Sequence, residues 1–235
     1  MTIHTFKLVG AGVLCASLLA ACGGGGDATP TPSTPTVTSF ALNAGHTSRI
    51  ASGATDNFNV SGSCSGTTSL STAAAIPSTF EGGTGYSSAQ VSTVNFTNCS
   101  PATRTDTGTT YYNAGYVPIG LSIVGGEYSM FESPPSDLPA TVKVGDTAVF
   151  ATLVTYTDST RLAATGKRVL SFAIEGDTST TAIANLITRS YDLGNTLLST
   201  EQSRYHMAEN GALTLASIAV QFSSTSTIHL LFTPK

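Results

Sequence analysis

The second half of the chain alternates between apolar, β-branched segments and short polar segments. Segments rich in Val, Ile, Leu, Thr, Phe and Tyr favour β-strands. The predicted strands are Phe150–Thr157, Arg168–Glu175, Thr181–Tyr191, Thr196–Met207, Ala212–Phe222 and Thr227–Thr233. The segments between them are rich in Gly, Asn, Asp and Ser, which are typical of hairpin turns. Asn210-Gly211 is the strongest of these signals, because the pair suits a two-residue type I′ turn. Consecutive hairpins predict an antiparallel meander.

The turns also predict which face of the meander is buried, because side chains alternate between the two faces of a strand. A two-residue turn at Asn210-Gly211 predicts the pairs Tyr205 with Ala216, Ser203 with Ile218, and Glu201 with Val220. Carried back through a turn at Leu193-Gly194, this register places Leu197, Leu186, Ala184 and Ala182 on the same, mostly apolar face. The opposite face is polar and holds Arg189, Gln202, Arg204, His206, Ser217 and Gln221.

The predicted strand Arg168–Glu175 directs its apolar residues to this face only if the turn that follows it is irregular. A two-residue turn at Asp177-Thr178 would point Leu170, Phe172 and Ile174 to the polar face. We therefore predict an odd-length loop or a bulge near 176–180. Phe172 and Val220 should then be buried together.

The first half of the chain is less regular. Its predicted strands are Thr38–Leu42, Asn57–Gly62, Thr79–Gly82, Ala89–Thr97, Tyr116–Val124 and Val142–Val144. Ala102–Thr110 is predicted to be a polar loop, and the prolines at 134 and 135 mark a candidate subdomain border near 133–139. No segment has strong helical periodicity, and Ser71–Ala75 would form at most one turn. The predicted fold is all-β: an antiparallel meander forming a sandwich or partly closed barrel, with little or no helix.

The first residues have the pattern of an export signal. Met1–Lys7 carries one basic side chain, and Leu8–Leu19 is apolar or small throughout and too short to span a bilayer. It ends in Leu19-Ala20-Ala21-Cys22, which resembles the lipobox of bacterial lipoproteins. The resemblance implies cleavage before Cys22 and attachment of acyl chains to that residue, which would be the chain's contact with the membrane. It also implies an outer-membrane address in a Gram-negative bacterium, because Gly rather than Asp follows the cysteine.

These observations divide the chain into three parts. Residues 1–21 are the expected signal peptide, and residues 22–39 are the lipidated cysteine and a flexible tether rich in Gly, Pro and Thr. Residues 40–235 are the β-rich domain. Without residues 1–21 the chain has nine Lys and Arg against 14 Asp and Glu, because one of its ten basic residues is Lys7. With no basic patch, we expect no nucleic-acid partner.

The two cysteines of the domain, Cys64 and Cys99, predict a disulfide, because exported proteins fold in an oxidising compartment. The alternative is a nucleophilic Cys64, since Gly62-Ser63-Cys64-Ser65-Gly66 superficially resembles a nucleophile elbow. That motif needs a helix after the turn, and Thr67-Thr68-Ser69-Leu70 is a poor helix start.

No catalytic or metal-binding motif stands out elsewhere. His46, His206 and His229 are scattered, without metal-ligand spacing, so neither a metal nor another cofactor is expected. Glu201 points inward in the predicted register; it either lies at a sheet end or, if it lies in a pocket, is the first candidate for a functional carboxylate. Tyr111, Tyr112 and Tyr116 are candidate contact residues for sugars or proteins, the alternative being that they close one end of a barrel.

The domain as a whole resembles the Thr-rich β-domain lipoproteins of proteobacteria. Two short segments are similar to sequence motifs that recur in that group: Leu138–Asp146 and Tyr156–Thr160. The resemblance implies no activity and no catalytic residues. We therefore expect a non-catalytic, lipid-anchored envelope domain with a role in interaction, envelope structure or binding of a small ligand. The alternative is an envelope hydrolase whose site is assembled from distant residues.

Overall fold

The computed structural model describes residues 37–223 and 228–235. In these residues the alternating sequence forms thirteen strands and one helix. The elements are α1 (Leu42–Ser52), β1 (Ala54–Gly62), β2 (Gly66–Thr72), β3 (Ile76–Phe80), β4 (Gly83–Phe96), β5 (Thr103–Tyr112), β6 (Pro118–Ile123), β7 (Tyr128–Phe131), β8 (Thr147–Tyr156), β9 (Ala164–Gly176), β10 (Thr181–Asp192), β11 (Leu197–Ala208), β12 (Leu213–Phe222) and β13 (Ile228–Pro234).

The strands form a closed antiparallel barrel. From β4 to β13 each strand pairs with the next, which gives the predicted meander. β13 then pairs with β1, β1 with β2, and β2 with β4, so that twelve strands complete the wall. β3 pairs only with β4 and lies outside this ring. The all-β fold is confirmed, and closure leaves the wall without an open edge.

In the β11–β12 hairpin, the residues distant from the turn pair as predicted, whereas the residues next to the turn are shifted. Ser203 pairs with Ile218 and Glu201 with Val220, as predicted, but Tyr205 pairs with Leu215 instead of Ala216. The connection between Ala208 and Ala212 has three residues, and a bulge between Arg204 and Tyr205 compensates for the extra one. The predicted two-residue turn is therefore wrong.

The β9–β10 hairpin has the predicted irregular turn. Gly176 pairs with Ala182, so five residues separate them, and Phe172 pairs with Leu186. Leu170, Phe172 and Ile174 therefore face the barrel interior, as predicted. β10 and β11 share the predicted face over most of their length, although their pairing is displaced by two residues, with Ala184 opposite Tyr205. A register shift after Ser190 pairs Leu197 with Tyr191, so the prediction that Leu197 lies on this face is wrong.

Two apolar clusters fill opposite parts of the interior. Phe172 belongs to a cluster with Phe40, Leu42 and Met207 beside the helix. Val220 belongs to a second cluster with Phe58, Leu230 and Phe232, nearer the disulfide. Both side chains are buried, as predicted, but they lie in separate clusters. The expectation that they are buried together is therefore wrong.

α1 closes one end of the barrel, and no sequence signal predicted it. Arg49 of the helix forms an ion pair with Asp56 at the start of β1, and Asn43 donates a hydrogen bond to the carbonyl of Leu138. The backbone at Gly45 lies against Gly211, where a Cβ atom would come within 1.8 Å of the Gly211 carbonyl oxygen. Only glycine permits this approach, which seats the helix on the β11–β12 turn.

One loop and two strands predicted in the first half are wrong. Ala102–Thr110, predicted as a loop, lies largely in β5. Of Thr38–Leu42 and Val142–Val144, predicted as strands, only an isolated bridge between Phe40 and Val142 forms. Residues 132–146, which contain the candidate border near 133–139, connect β7 to β8, and those two strands pair directly.

Candidate functional site

The barrel encloses two cavities between its apolar clusters. The larger has a volume of about 300 Å³ and is lined by residues from eleven of the twelve wall strands. The second, of about 250 Å³, lies next to α1, where His46, Arg49 and Ile50 contribute to its lining. Both cavities are lined by Leu70, Gln90, Pro118, Glu201 and Ile218. The two cavities are therefore neighbouring parts of one lumen.

The lining of the larger cavity is mainly apolar. Its aliphatic and aromatic members include Leu70, Val94, Leu121, Leu170, Ile218 and Phe232. Polar side chains interrupt this surface, and the four that carry a charge or an amide are Gln90, Asp106, Arg168 and Glu201. They come from four different strands, so only the closed barrel brings them together.

Glu201 is the predicted candidate carboxylate, and it lies in the lumen. Its position opposite Val220 points it inward, and its remaining accessible surface faces the cavities that it lines. Oε1 accepts a hydrogen bond from the Ser203 hydroxyl at 3.3 Å. Burial raises the pKa of Glu201, while the positive charge of Arg168 and the Ser203 hydroxyl act in the opposite direction. Its role in function remains a prediction.

Arg168 and Glu127 form a buried ion pair in the barrel interior. Arg168 Nη2 lies 2.8 Å from Glu127 Oε1, and the two side chains are only 11% and 7% exposed. The geometry is that of charge attraction rather than a well-aligned hydrogen bond, because neither atom has a hydrogen-bond partner among the described residues. A pair of this kind stabilises little over apolar packing, but losing one partner would leave an uncompensated buried charge.

Two further ion pairs lie on the inner face. Arg104 and Asp106 alternate along β5 and meet through two hydrogen bonds, of 2.6 and 2.7 Å. Arg49 and Asp56 meet at 2.5 Å beside α1, where the Arg49 guanidinium also lies 5.1 Å from the centre of the Tyr205 ring. Cation–π contact adds to the attraction at that end of the lumen.

His46 contributes a neutral imidazole to the second cavity. Burial lowers the pKa of His46 from 6.5 to about 4, against an opposing hydrogen bond to the backbone of Tyr116. Nε2 is buried and has no partner among the described residues, so the bond to Tyr116 is assigned to Nδ1. The uncharged ring therefore leaves a hydrogen-bond acceptor on Nε2.

His46, Ser203 and Glu201 line the same cavity, but their arrangement is not that of a catalytic triad. In a triad the imidazole links the hydroxyl to the carboxylate. Here the carboxylate accepts directly from the hydroxyl, and His46 Nε2 bonds neither of them. The other two domain histidines are remote from this group, since His206 pairs with Asp177 on the outer face and His229 is exposed on β13. This geometry does not favour the hydrolase alternative.

The structure does not gather Tyr111, Tyr112 and Tyr116 into one surface. Tyr111 stacks on Phe80 outside the barrel, with ring centres 4.3 Å apart. Tyr116 stacks on Tyr86 at 4.4 Å. Tyr112 is buried and lines the second cavity, and its burial raises the pKa of Tyr112 to about 12. Only Tyr112 is thus placed to meet a ligand in the lumen.

The predicted disulfide is present. Cys64 and Cys99 are bonded, with their Cα atoms 5.7 Å apart, so Cys64 carries no free thiol for the alternative role of nucleophile. Cys22, the candidate lipidation site, lies outside the described residues.

In residues 37–223 and 228–235, no group of three or more His, Cys, Asp or Glu side chains could hold a metal ion. Among those residues, no helix combines the length and the apolar character needed to cross a lipid bilayer.

Sequence reasoning missed most of the polar groups of the lumen. Arg104 and Asp106 lie in the segment predicted as a loop, and Arg168 is predicted only as the start of a strand. The available signal is the regular threonine at every second position from 103 to 109, which marks the outer face of β5 and turns Arg104, Asp106 and Gly108 inward. Comparison with models of protein families, with curated proteins and with solved structures found no match.

Proposed function

We propose that this chain is a lipid-anchored protein of the bacterial cell envelope that holds a small, largely apolar ligand inside its barrel without transforming it. The observation that carries the proposal is the cavity of about 300 Å³ in the lumen. Ligand sites in proteins are mostly apolar cavities of about 300–1,000 Å³ with a few well-placed polar groups. The lumen fits the lower end of that range and therefore a small ligand.

The polar groups of the lumen support binding over a purely structural interior. Two clusters of apolar side chains fill parts of the interior. Charged residues, by contrast, are held at the cavity, although burying them costs free energy. Such costly groups are commonly retained where they orient a ligand.

The envelope address rests on Cys22 and on the position where the chain enters the barrel. Val37 donates a backbone hydrogen bond to Ser179, and Phe40 pairs with Val142, both at the end closed by α1. Acyl chains on Cys22 would hold that end towards the bilayer, since only the tether separates them. The hairpin loops at the disulfide end would then face away from the membrane, towards arriving molecules.

A cavity-filling variant tests the proposal. Ser92 lines the larger cavity, and its neighbour Thr93 faces outward, where it contacts Thr105. We would isolate the full acylated chain in lipid nanodiscs and measure binding of 1-octanol by calorimetry, after subtracting the uptake by empty nanodiscs. Ser92→Leu should weaken binding at least about tenfold by occupying the space, whereas the matched Thr93→Leu should bind like the wild type.

Two results would overturn the proposal. Wild-type protein that binds no 1-octanol and carries no small molecule in native mass spectrometry would indicate a structural lumen. Equal binding by wild type and Ser92→Leu would place the binding site elsewhere.

A further inference from the structure

Among the residues that the structure describes, the charged groups of the lumen are paired with one exception. Asp106 pairs with Arg104, Arg168 with Glu127, and Arg49 with Asp56. These pairs account for the charged side chains that line either cavity, apart from Glu201. When Glu201 is ionised, the lumen therefore has one negative charge in excess.

Glu201 also has unused hydrogen-bonding capacity. Its Oε1 accepts from Ser203, while its Oε2 receives no hydrogen bond from the described residues. Glu201 is the only ionisable side chain among the five residues shared by the two cavities. A ligand in either part of the lumen can therefore reach it.

We propose that the ligand carries an ammonium group that pairs with Glu201, while its apolar body fills the larger cavity. This inference rests on the proposed function, because it assigns the chemical class of the ligand held there. An ammonium group supplies both the missing positive charge and several N–H donors. It would also offset the desolvation of the Glu201 carboxylate.

The surroundings favour a cation over an anion. The positive charge that acts on Glu201 is that of Arg168, which already faces Glu127. Its Nε and Nη2 atoms have almost no accessible surface, so they are not presented to an incoming anion. Arg49 in the second cavity is neutralised by Asp56, His46 Nε2 there has a free lone pair, and the Gln90 amide, which lines both cavities, can accept a hydrogen bond as well as donate one.

Three probes that differ only in their polar end test the ligand class. We would measure the binding of octylamine, 1-octanol and octanoate to the full chain at neutral pH, where the first is a cation and the last an anion. Octylamine should bind most tightly and octanoate most weakly. Glu201→Gln should weaken octylamine about tenfold to a hundredfold, as expected for loss of a charge-assisted hydrogen bond, and should retain 1-octanol.

A second carboxylate provides the control. Glu175 lies on the outer face, where it pairs with Arg204, so Glu175→Gln removes the same charge without touching the lumen. It should leave the order of the three probes unchanged.

The possible failures are distinguishable. If 1-octanol does not bind the wild type and the protein carries no small molecule in native mass spectrometry, the proposed function fails, and this inference fails with it. If 1-octanol binds but octylamine has no advantage, or keeps its advantage in Glu201→Gln, only the ammonium proposal is overturned.

Discussion

Replacing His46 with asparagine should remove a pH dependence of stability that arises at the helix-capped end of the barrel. The Asn amide can still donate to the Tyr116 carbonyl from a position similar to that of Nδ1, but it cannot titrate. In the folded chain the pKa of His46 is lowered from 6.5 to about 4 by burial. Between these two values the unfolded chain binds a proton that the folded chain does not.

The sign and size of the effect follow from this difference. Stability is fully present above pH 6.5 and falls as the pH decreases towards 4, because proton binding favours the unfolded state. At about 1.4 kcal/mol for each tenfold change in proton concentration, the interval corresponds to about 3 kcal/mol. The difference in unfolding free energy between wild type and His46→Asn should change by this amount across the interval and be constant on either side.

Urea unfolding followed by far-ultraviolet circular dichroism can measure that difference, since the chain has no tryptophan. The same substitution at His229, which is exposed on the outer face of β13, controls for the loss of one histidine. A difference between wild type and His46→Asn that stays constant from neutral pH to about pH 4 would refute the argument. It would mean that the imidazole can be protonated inside the folded barrel without cost.

Three other predictions concern the interior, the disulfide and the anchor. Phe172→Ala should lower the free energy of unfolding by about 3–5 kcal/mol, since Phe172 is 2% exposed in a packed cluster; chemical denaturation that gives less than about 1 kcal/mol would contradict that packing. Replacing both Cys64 and Cys99 with alanine should lower the free energy of unfolding by about 3–4 kcal/mol by the loop-entropy argument for a separation of 35 residues, which the same assay measures against the disulfide-bonded wild type. Cys22→Ser should abolish acylation and leave the signal attached, so incorporation of a labelled fatty acid by this variant would disprove the lipobox interpretation.

The sequence predicts the strands in which apolar and polar residues alternate. The second-half hairpins have one apolar and one polar face, so the inward direction of Leu170, Phe172 and Ile174 follows from the alternation alone. The cross-strand partners are predicted less accurately near Asn210-Gly211. There the contact between Gly211 and α1 accompanies a three-residue turn, and no local propensity encodes that contact.

The elements that were not predicted are those stabilised by contacts between residues far apart in the sequence. α1 has only Leu42 and Ile50 as large buried apolar residues, so it lacks an amphipathic stripe and depends on contacts with Asp56, Leu138 and Gly211. β5 is polar on both faces because one faces solvent and the other carries charges into the lumen. The inward direction of Glu201 is predictable from the register, but its unpaired charge is visible only when every lumen-facing partner is known.

The pairing of β1 with β13 closes the barrel, and it can form only late in folding. Phe58 pairs with Pro234 and Gly62 with Leu230, so strands separated by most of the domain must meet. Because the chain is synthesised from its amino end, β1 can pair with β2 early. The other edge of β1 stays unpaired until β13 has emerged. Contacts so distant in sequence form slowly, and unpaired strand edges invite pairing with other chains. The interval between the arrival of β1 and that of β13 is therefore the period in which this protein most needs protection from aggregation.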